Sequence, residues 1–190
     1  MNKISQKTGE VLNFYLEKFP EEKNNFTVLE KQIKNNEDLS TRKNFNWHLT
    51  ASATVFDEKK QKILLIRNKN LNKWLVPWWH YEECDKDILS SSERELKEET
   101  WIVKYVIHNW HKINNLIPVS IDTHYIPENK KKWEDEHYHH DFNYLFLADS
   151  EQELSLQEEE VDWLEWLDVN DDFKDIHWFE KIKKILTDTK

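Results

Sequence analysis

The chain has 190 residues, 34% charged and 38% hydrophobic, with a formal net charge of −10. That acidic balance repels nucleic-acid phosphates and disfavours passive duplex binding, although a bound cation would still admit a phosphate substrate locally. The lone Cys84 excludes an intramolecular disulfide, and the absence of eighteen consecutive apolar residues excludes a spanning helix.

Ten Trp, six Tyr and nine Phe supply the apolar area for one core, and 190 residues suit a single domain with an appended element. A reducing cytoplasm is the expected location, because cysteine is scarce. The first twenty residues, with Lys3, Lys7, Glu10, Glu17 and Lys18, lack a signal-peptide core.

Residues 1–44 are predicted to form an N-terminal helical extension. Val11, Leu12, Tyr15 and Phe19 share one helical stripe, and Phe26, Leu29 and Ile33 repeat it after Pro20. Residues 45–187 then form the main domain. Thr50 to Phe56 and Lys62 to Arg67, rich in β-branched and apolar residues, read as a hairpin. Leu75 to His80 reads as a turn and Glu82-Glu83-Cys84-Asp85 as an acidic loop. Asp87 is placed to cap the following helix, whose Leu89 and Leu96 form a buried stripe roughly opposite part of its acidic face. Leu116 to Ile126, Tyr138 to Ala148 and Val161 to Val169 read as strands, with a charged loop from Pro127 to Glu136. A final amphipathic helix is predicted over Asp172 to Leu186. The alternation of strands and helices gives an α/β class with a mixed sheet between helical layers.

The central chemistry lies in Arg94-Glu95-Leu96-Lys97-Glu98-Glu99-Thr100-Trp101-Ile102. A helix brings Glu95, Glu98 and Glu99 to one side, where like charges repel and call for a counter-ion. Hard carboxylate oxygens suit Mg²⁺, with Mn²⁺ as a substitute. Carboxylate spacing alone equally describes a solvated acidic helix face.

This segment resembles the Nudix hydrolase signature, G-x5-E-x7-R-E-U-x-E-E-x-G-U, where U is a bulky aliphatic residue. Arg94, Glu95, Leu96, Glu98, Glu99 and Ile102 match it. Trp79 and Trp101 stand at the glycine positions, the loop is one residue longer, and Asp85 is the nearest counterpart of the upstream Glu. The resemblance spans roughly residues 45–180. It implies a Nudix-like α/β/α sandwich that cleaves a diphosphate linkage in a nucleoside diphosphate derivative, with a small nucleotide as substrate. It also implies Glu98 and Glu99 as metal ligands, Glu95 as a ligand or the group orienting the attacking water, and Arg94 as the holder of carboxylates and loop. His80, beside the loop, is a candidate substrate contact. The general base is left open among Glu134, Glu136, Glu159 and Glu160. A catalytically silent Nudix-fold module that binds a nucleotide or a protein is the alternative; a prenyl-diphosphate isomerase lacks its required Cys setting.

Two further patterns stand out. Composition predicts roughly 13 glycines in a chain of this length, yet Gly9 is alone beside ten Trp. Trp47, Trp78, Trp79, Trp101, Trp110 and Trp133 occupy glycine-like settings, from which we hypothesise that the source decodes UGA as glycine and that the written sequence gives it as tryptophan. Trp74, Trp166 and Trp178 read as authentic. Trp74 is a core residue before it is a base-stacking one. Second, His137, His139 and Asp141 would project from one face of a strand, an arrangement open to metal but read more simply as core or pocket lining.

Overall fold

The computed structural model describes residues 3–41, 43–44, 47–68, 73–82, 84–128, 135–155, 161–171 and 178–188. Two helices, α1 (Lys3–Lys18) and α2 (Thr27–Lys34), open it, joined by a 3-10 segment at Pro20–Phe26. Proline opens that segment because its missing N–H costs nothing in a first turn. Gly9 lies within α1, where an added Cβ would stand 3.2 Å from Ile33 Cγ2. The glycine thus serves close packing of the two helices rather than a turn.

Tyr15, fully buried, joins this helical pair to the rest of the molecule. Its hydroxyl donates to Glu22 Oε2 at 2.6 Å and accepts from Ile121 N at 3.2 Å and Lys181 Nζ at 2.7 Å. Lys181 also pairs with Glu22 at 2.6 Å and sits over the Phe19 ring.

The hairpin forms as predicted. Strands β1 (Trp47–Asp57) and β2 (Lys62–Asn68) pair antiparallel, with Val55 opposite Leu64. The segment read as a turn at Leu75 to His80 instead carries the last residue of β3 (Lys73–Leu75), paired with β2, and the whole of β4 (Trp78–His80), paired with β1. Pro77 marks the crossing between them. It donates no hydrogen bond, but its carbonyl accepts from Ala53 N at 2.9 Å and so extends the β1–β4 contact.

Helix α3 (Ile88–Thr100) begins at Asp87, whose side chain accepts from Ser90 N while Ser90 Oγ accepts from Asp87 N, a reciprocal capping box. Ser91, Ser92 and Thr100 are fully buried, and Ser92 Oγ donates to Ser52 O at 2.7 Å, so small side chains let α3 lie directly on β1. The predicted separation of apolar and acidic faces does not hold. Glu95 and Glu99 are buried alongside Leu96, while Leu89 is only partly covered.

After α3 come β5 (Tyr105–Ile107) and α4 (Asn109–Ile113), both too short to show a period in the sequence. Strand β6 (Ser120–Ile126) starts later than expected because Leu116 adopts φ 57° in a turn. Strands β7 (His137–Ala148) and β8 (Val161–Asp168) follow, and α5 (Phe179–Asp188) closes the described chain; residues 172–177 of the predicted last helix lie outside the described residues. The curled mixed sheet runs β3-β2-β1-β7-β5, with β4 added to β1, β6 to β7 and β8 to β2. Its spine is the parallel β1–β7 pair, ten residues long in register from Trp47 opposite Tyr138 to Phe56 opposite Leu147. No described helix is long and apolar enough to cross a membrane.

Of the six glycine-like tryptophans, Trp101 alone among the described residues has positive φ, 62° at the C-cap of α3. Trp47, Trp78 and Trp79 lie in strands and Trp110 in α4; Trp133 lies outside the described residues. Trp74, Trp166 and Trp178 are partly buried and pack against the core. Trp101 is 66% exposed, so its indole contributes little packing while its backbone bears the left-handed penalty. Trp101→Gly should therefore stabilise the chain by about 1 kcal/mol, raising Tm by roughly 2–4 °C. A thermal melt showing an equal or lower Tm would contradict this.

Candidate active site

Arg94 organises the site. Its guanidinium grips Asp85 with two bonds, Nε to Oδ1 and Nη2 to Oδ2, each 3.0 Å. Nη2 also donates to the main-chain oxygen of His80 at 3.2 Å, and Nη1 donates to Glu98 Oε2 at 2.9 Å and pairs with Glu95. Glu82 stands 3.9 Å away. A planar fork can hold a strand end, a loop and a helix together in this way, which an ammonium cannot.

Asp85, the sequence counterpart of the upstream motif Glu, therefore faces arginine. Burial would raise its pKa, but the Arg94 hydrogen bonds and charge prevail and hold it below the ordinary carboxylate value. Arg94 is likewise raised despite burial, by Asp85, Glu95 and Glu98. Replacing Arg94 with Met would strand a nearly buried Asp85 carboxylate. We expect a loss of about 3 kcal/mol in denaturant unfolding; an unchanged midpoint would exclude Arg94 as the site's tie.

The three helix carboxylates share this neighbourhood but differ in exposure. Glu95 and Glu99 are 1% and 2% exposed, whereas the Glu98 side chain is 51% exposed. Burial, above all, pushes the Glu95 pKa up to about 8; Glu98 and Glu99 add to the rise, and Arg94 opposes it. A crowded set of hard oxygen donors, with Glu95 pushed toward its protonated form, fits a small divalent cation, which would relieve the repulsion and displace that proton.

Some sequence candidates fall elsewhere. Glu136 is exposed and accepts from Tyr125 Oη at 2.6 Å, while Glu134, Glu159 and Glu160 lie outside the described residues. The His80 imidazole, 9% exposed, turns into a row of buried histidines rather than toward open solvent. Asp141 is buried and accepts from Thr50 Oγ1 at 2.9 Å and Ser52 Oγ at 2.6 Å. Its pKa rises because burial outweighs those hydrogen bonds and the nearby His124. The sequence pattern did not join His48 to His137 and His139. The parallel β1–β7 register does so, placing His48 opposite His139 across 91 residues of chain.

The profile of the NUDIX domain matches residues 46–186. Among solved structures, a NUDIX-family hydrolase from Clostridium perfringens is similar at 22% identity and a TM-score of 0.52, over 75% of this chain and 98% of that one. A C. elegans Ap4A hydrolase in a binary complex is similar at 18% identity and a TM-score of 0.51, over 73% of this chain and 97% of that one. No curated protein matches. With the curled mixed sheet, the capped carboxylate helix and the profile match in agreement over most of its length, the chain belongs to the Nudix family.

Proposed function

We propose that the chain is a Mg²⁺-dependent pyrophosphohydrolase that cleaves a diphosphate linkage in a nucleoside diphosphate derivative. Glu95, Glu98 and Glu99 would hold the cation, with Mn²⁺ able to replace it. The carrying observation is the burial of Glu95 beside two further carboxylates, with its pKa raised to about 8. Such an arrangement costs stability unless a cation occupies it, and its position on the motif helix matches the family resemblance.

When bound, the metal would supply charge compensation for phosphate oxygens and help activate water. The protein's own contribution is positioning. Arg94 ties α3, Asp85 and the His80 main chain into one unit, which would hold Asp85 and the end of β4 beside the substrate's phosphates. His80 would meet substrate on this loop chiefly through its main chain, since its ring is buried. The exposed, unpaired Cys84 fits a reducing cytoplasm.

The test is metal-dependent release of a nucleoside monophosphate from a panel of nucleoside diphosphate derivatives. Nucleotide affinity without turnover would instead favour the silent binding module.

A further inference from the structure

Four imidazoles from three strands meet on the face of the sheet that carries Thr50, Ser52 and Asp141. His48 comes from β1, His80 from β4, and His137 and His139 from β7. One ring nitrogen from each lies within 4.8 Å of all the others, and exposures are 2%, 9%, 5% and 1% respectively. The rings form a compact block: His48 lies 5.0 Å from His80, 5.0 Å from His137 and 4.7 Å from His139, centroid to centroid. Trp78 covers it, 5.4 Å from the His139 ring.

We infer that His48, His80, His137 and His139 form a second metal site, nitrogen-only and closed, for a borderline divalent ion of the Zn²⁺ type. It is separate in donor chemistry from the carboxylates of α3, whose hard oxygens suit Mg²⁺. Imidazole favours Zn²⁺ and its neighbours in the transition series, and four protein ligands leave no open position, the pattern of a structural site.

The hydrogen bonds around the block prepare it. His137 Nδ1 lies 2.7 Å from Asp135 O and His48 Nδ1 lies 3.2 Å from Asn44 O. A carbonyl only accepts, so each Nδ1 carries the proton and each Nε2 keeps its lone pair, as outer carbonyls commonly arrange for metal-bound histidines. His137 Nε2 lies 3.0 Å from His139 Nε2, and the His139 Nδ1 is buried with no hydrogen-bond partner among the described residues. A shared proton can join two imidazoles, but it leaves that last nitrogen unsatisfied. An ion would convert the whole set. Tetrahedral Zn²⁺ requires neighbouring nitrogens about 3.3 Å apart, so ring movements of about an ångström would suffice.

The ion would pin β1, β4 and β7 at one point. His80 supplies the connection to the active site, because its carbonyl also accepts from Arg94. Zinc-type occupancy would thus steady the Arg94 framework without touching the phosphates.

The test uses the full chain carrying Glu98→Gln and Glu99→Gln, which weakens the oxygen site, titrated with Co²⁺ and then Zn²⁺. One equivalent of Co²⁺ is expected, with the intense visible absorption of tetrahedral nitrogen coordination, bleached when Zn²⁺ displaces it. His137→Gln and His139→Gln should each weaken binding by about 100-fold or more. Circular dichroism checks that these variants fold. If they do not, imidazole ¹H–¹⁵N spectra of the unaltered chain decide: all four rings should move to metal-bound shifts on Zn²⁺ addition. Absence of Co²⁺ binding, a six-coordinate oxygen-rich spectrum, full affinity in folded His variants, or unmoved imidazole signals would overturn the site. None of these readings requires substrate, so the site stands or falls apart from the hydrolase assignment.

Discussion

Glu99→Gln and Glu98→Gln proteins are expected to lose two to four orders of magnitude in turnover while remaining folded. Each substitution keeps shape and removes one anionic oxygen donor. If metal stabilises the developing charge by several kcal/mol, losing a ligand raises the barrier by a comparable fraction, or roughly 10²- to 10⁴-fold in rate. The two positions separate structural damage from chemistry. The Glu98 side chain is half exposed, so its replacement should leave Tm nearly unchanged, whereas Glu99 is buried on the core side of α3. A common loss of turnover, with the Mg²⁺ concentration needed for half activity raised in both, would identify a shared role in holding metal. Wild-type turnover in Glu98→Gln protein would remove that residue from the ligand set.

A fall in metal-free stability with rising pH is the second large effect. The Glu95 carboxyl has a folded-state pKa of about 8 against an ordinary value of 4.5. Between those values the folded chain retains a proton that the unfolded chain has released, so stability declines as pH rises through the window and levels off above it. The upper bound is roughly 5 kcal/mol, reduced wherever the site relaxes or admits water. Mg²⁺ binds the deprotonated carboxylate, so it should raise Tm more at pH 8 than at pH 5.5. Glu95→Gln should flatten that component of the pH slope and reduce the Mg²⁺ effect. Melts across pH 5 to 8.5, with EDTA or Mg²⁺, measure both. A slope that persists unchanged in Glu95→Gln protein would assign it to other groups.

Local signals were legible in the sequence wherever one element contained them. Asp87 caps α3 as its side chain requires, and the β-branched runs before Asp57 and after Gln61 pair as a hairpin. Arg94 bonds Asp85 in the loop as well as Glu95 and Glu98 on its own helix, and the motif sets its spacing to those two glutamates.

Signals shared between distant segments were not legible. Nothing near His48 points to His139; their adjacency exists only once β1 and β7 align in parallel. Tyr105–Ile107 carries too few residues to reveal alternation, yet it pairs with the end of β7. Helical spacing correctly clustered the carboxylates of α3, but it could not say which side of the wheel the sheet would cover. The small Ser91 and Ser92 admit β1 closely, and Glu95 and Glu99 are buried with them. At Trp101 the sequence did foresee a glycine-like backbone; at Trp110 the indole instead lies buried within a short helix, stacked near Phe19.

The most direct measurement is ³¹P NMR analysis of products from a nucleoside diphosphate panel, with Mg²⁺ or EDTA. It should include the unaltered chain and one with Trp47, Trp78, Trp79, Trp101, Trp110 and Trp133 changed to glycine. A Nudix pyrophosphohydrolase should release a nucleoside monophosphate from at least one substrate in one of the two chains, with Mg²⁺ only, and lose that activity with Glu98→Gln and Glu99→Gln. No turnover of any substrate in either chain, or turnover indifferent to EDTA and to both glutamine substitutions, would contradict a metal-bearing carboxylate helix as the seat of catalysis.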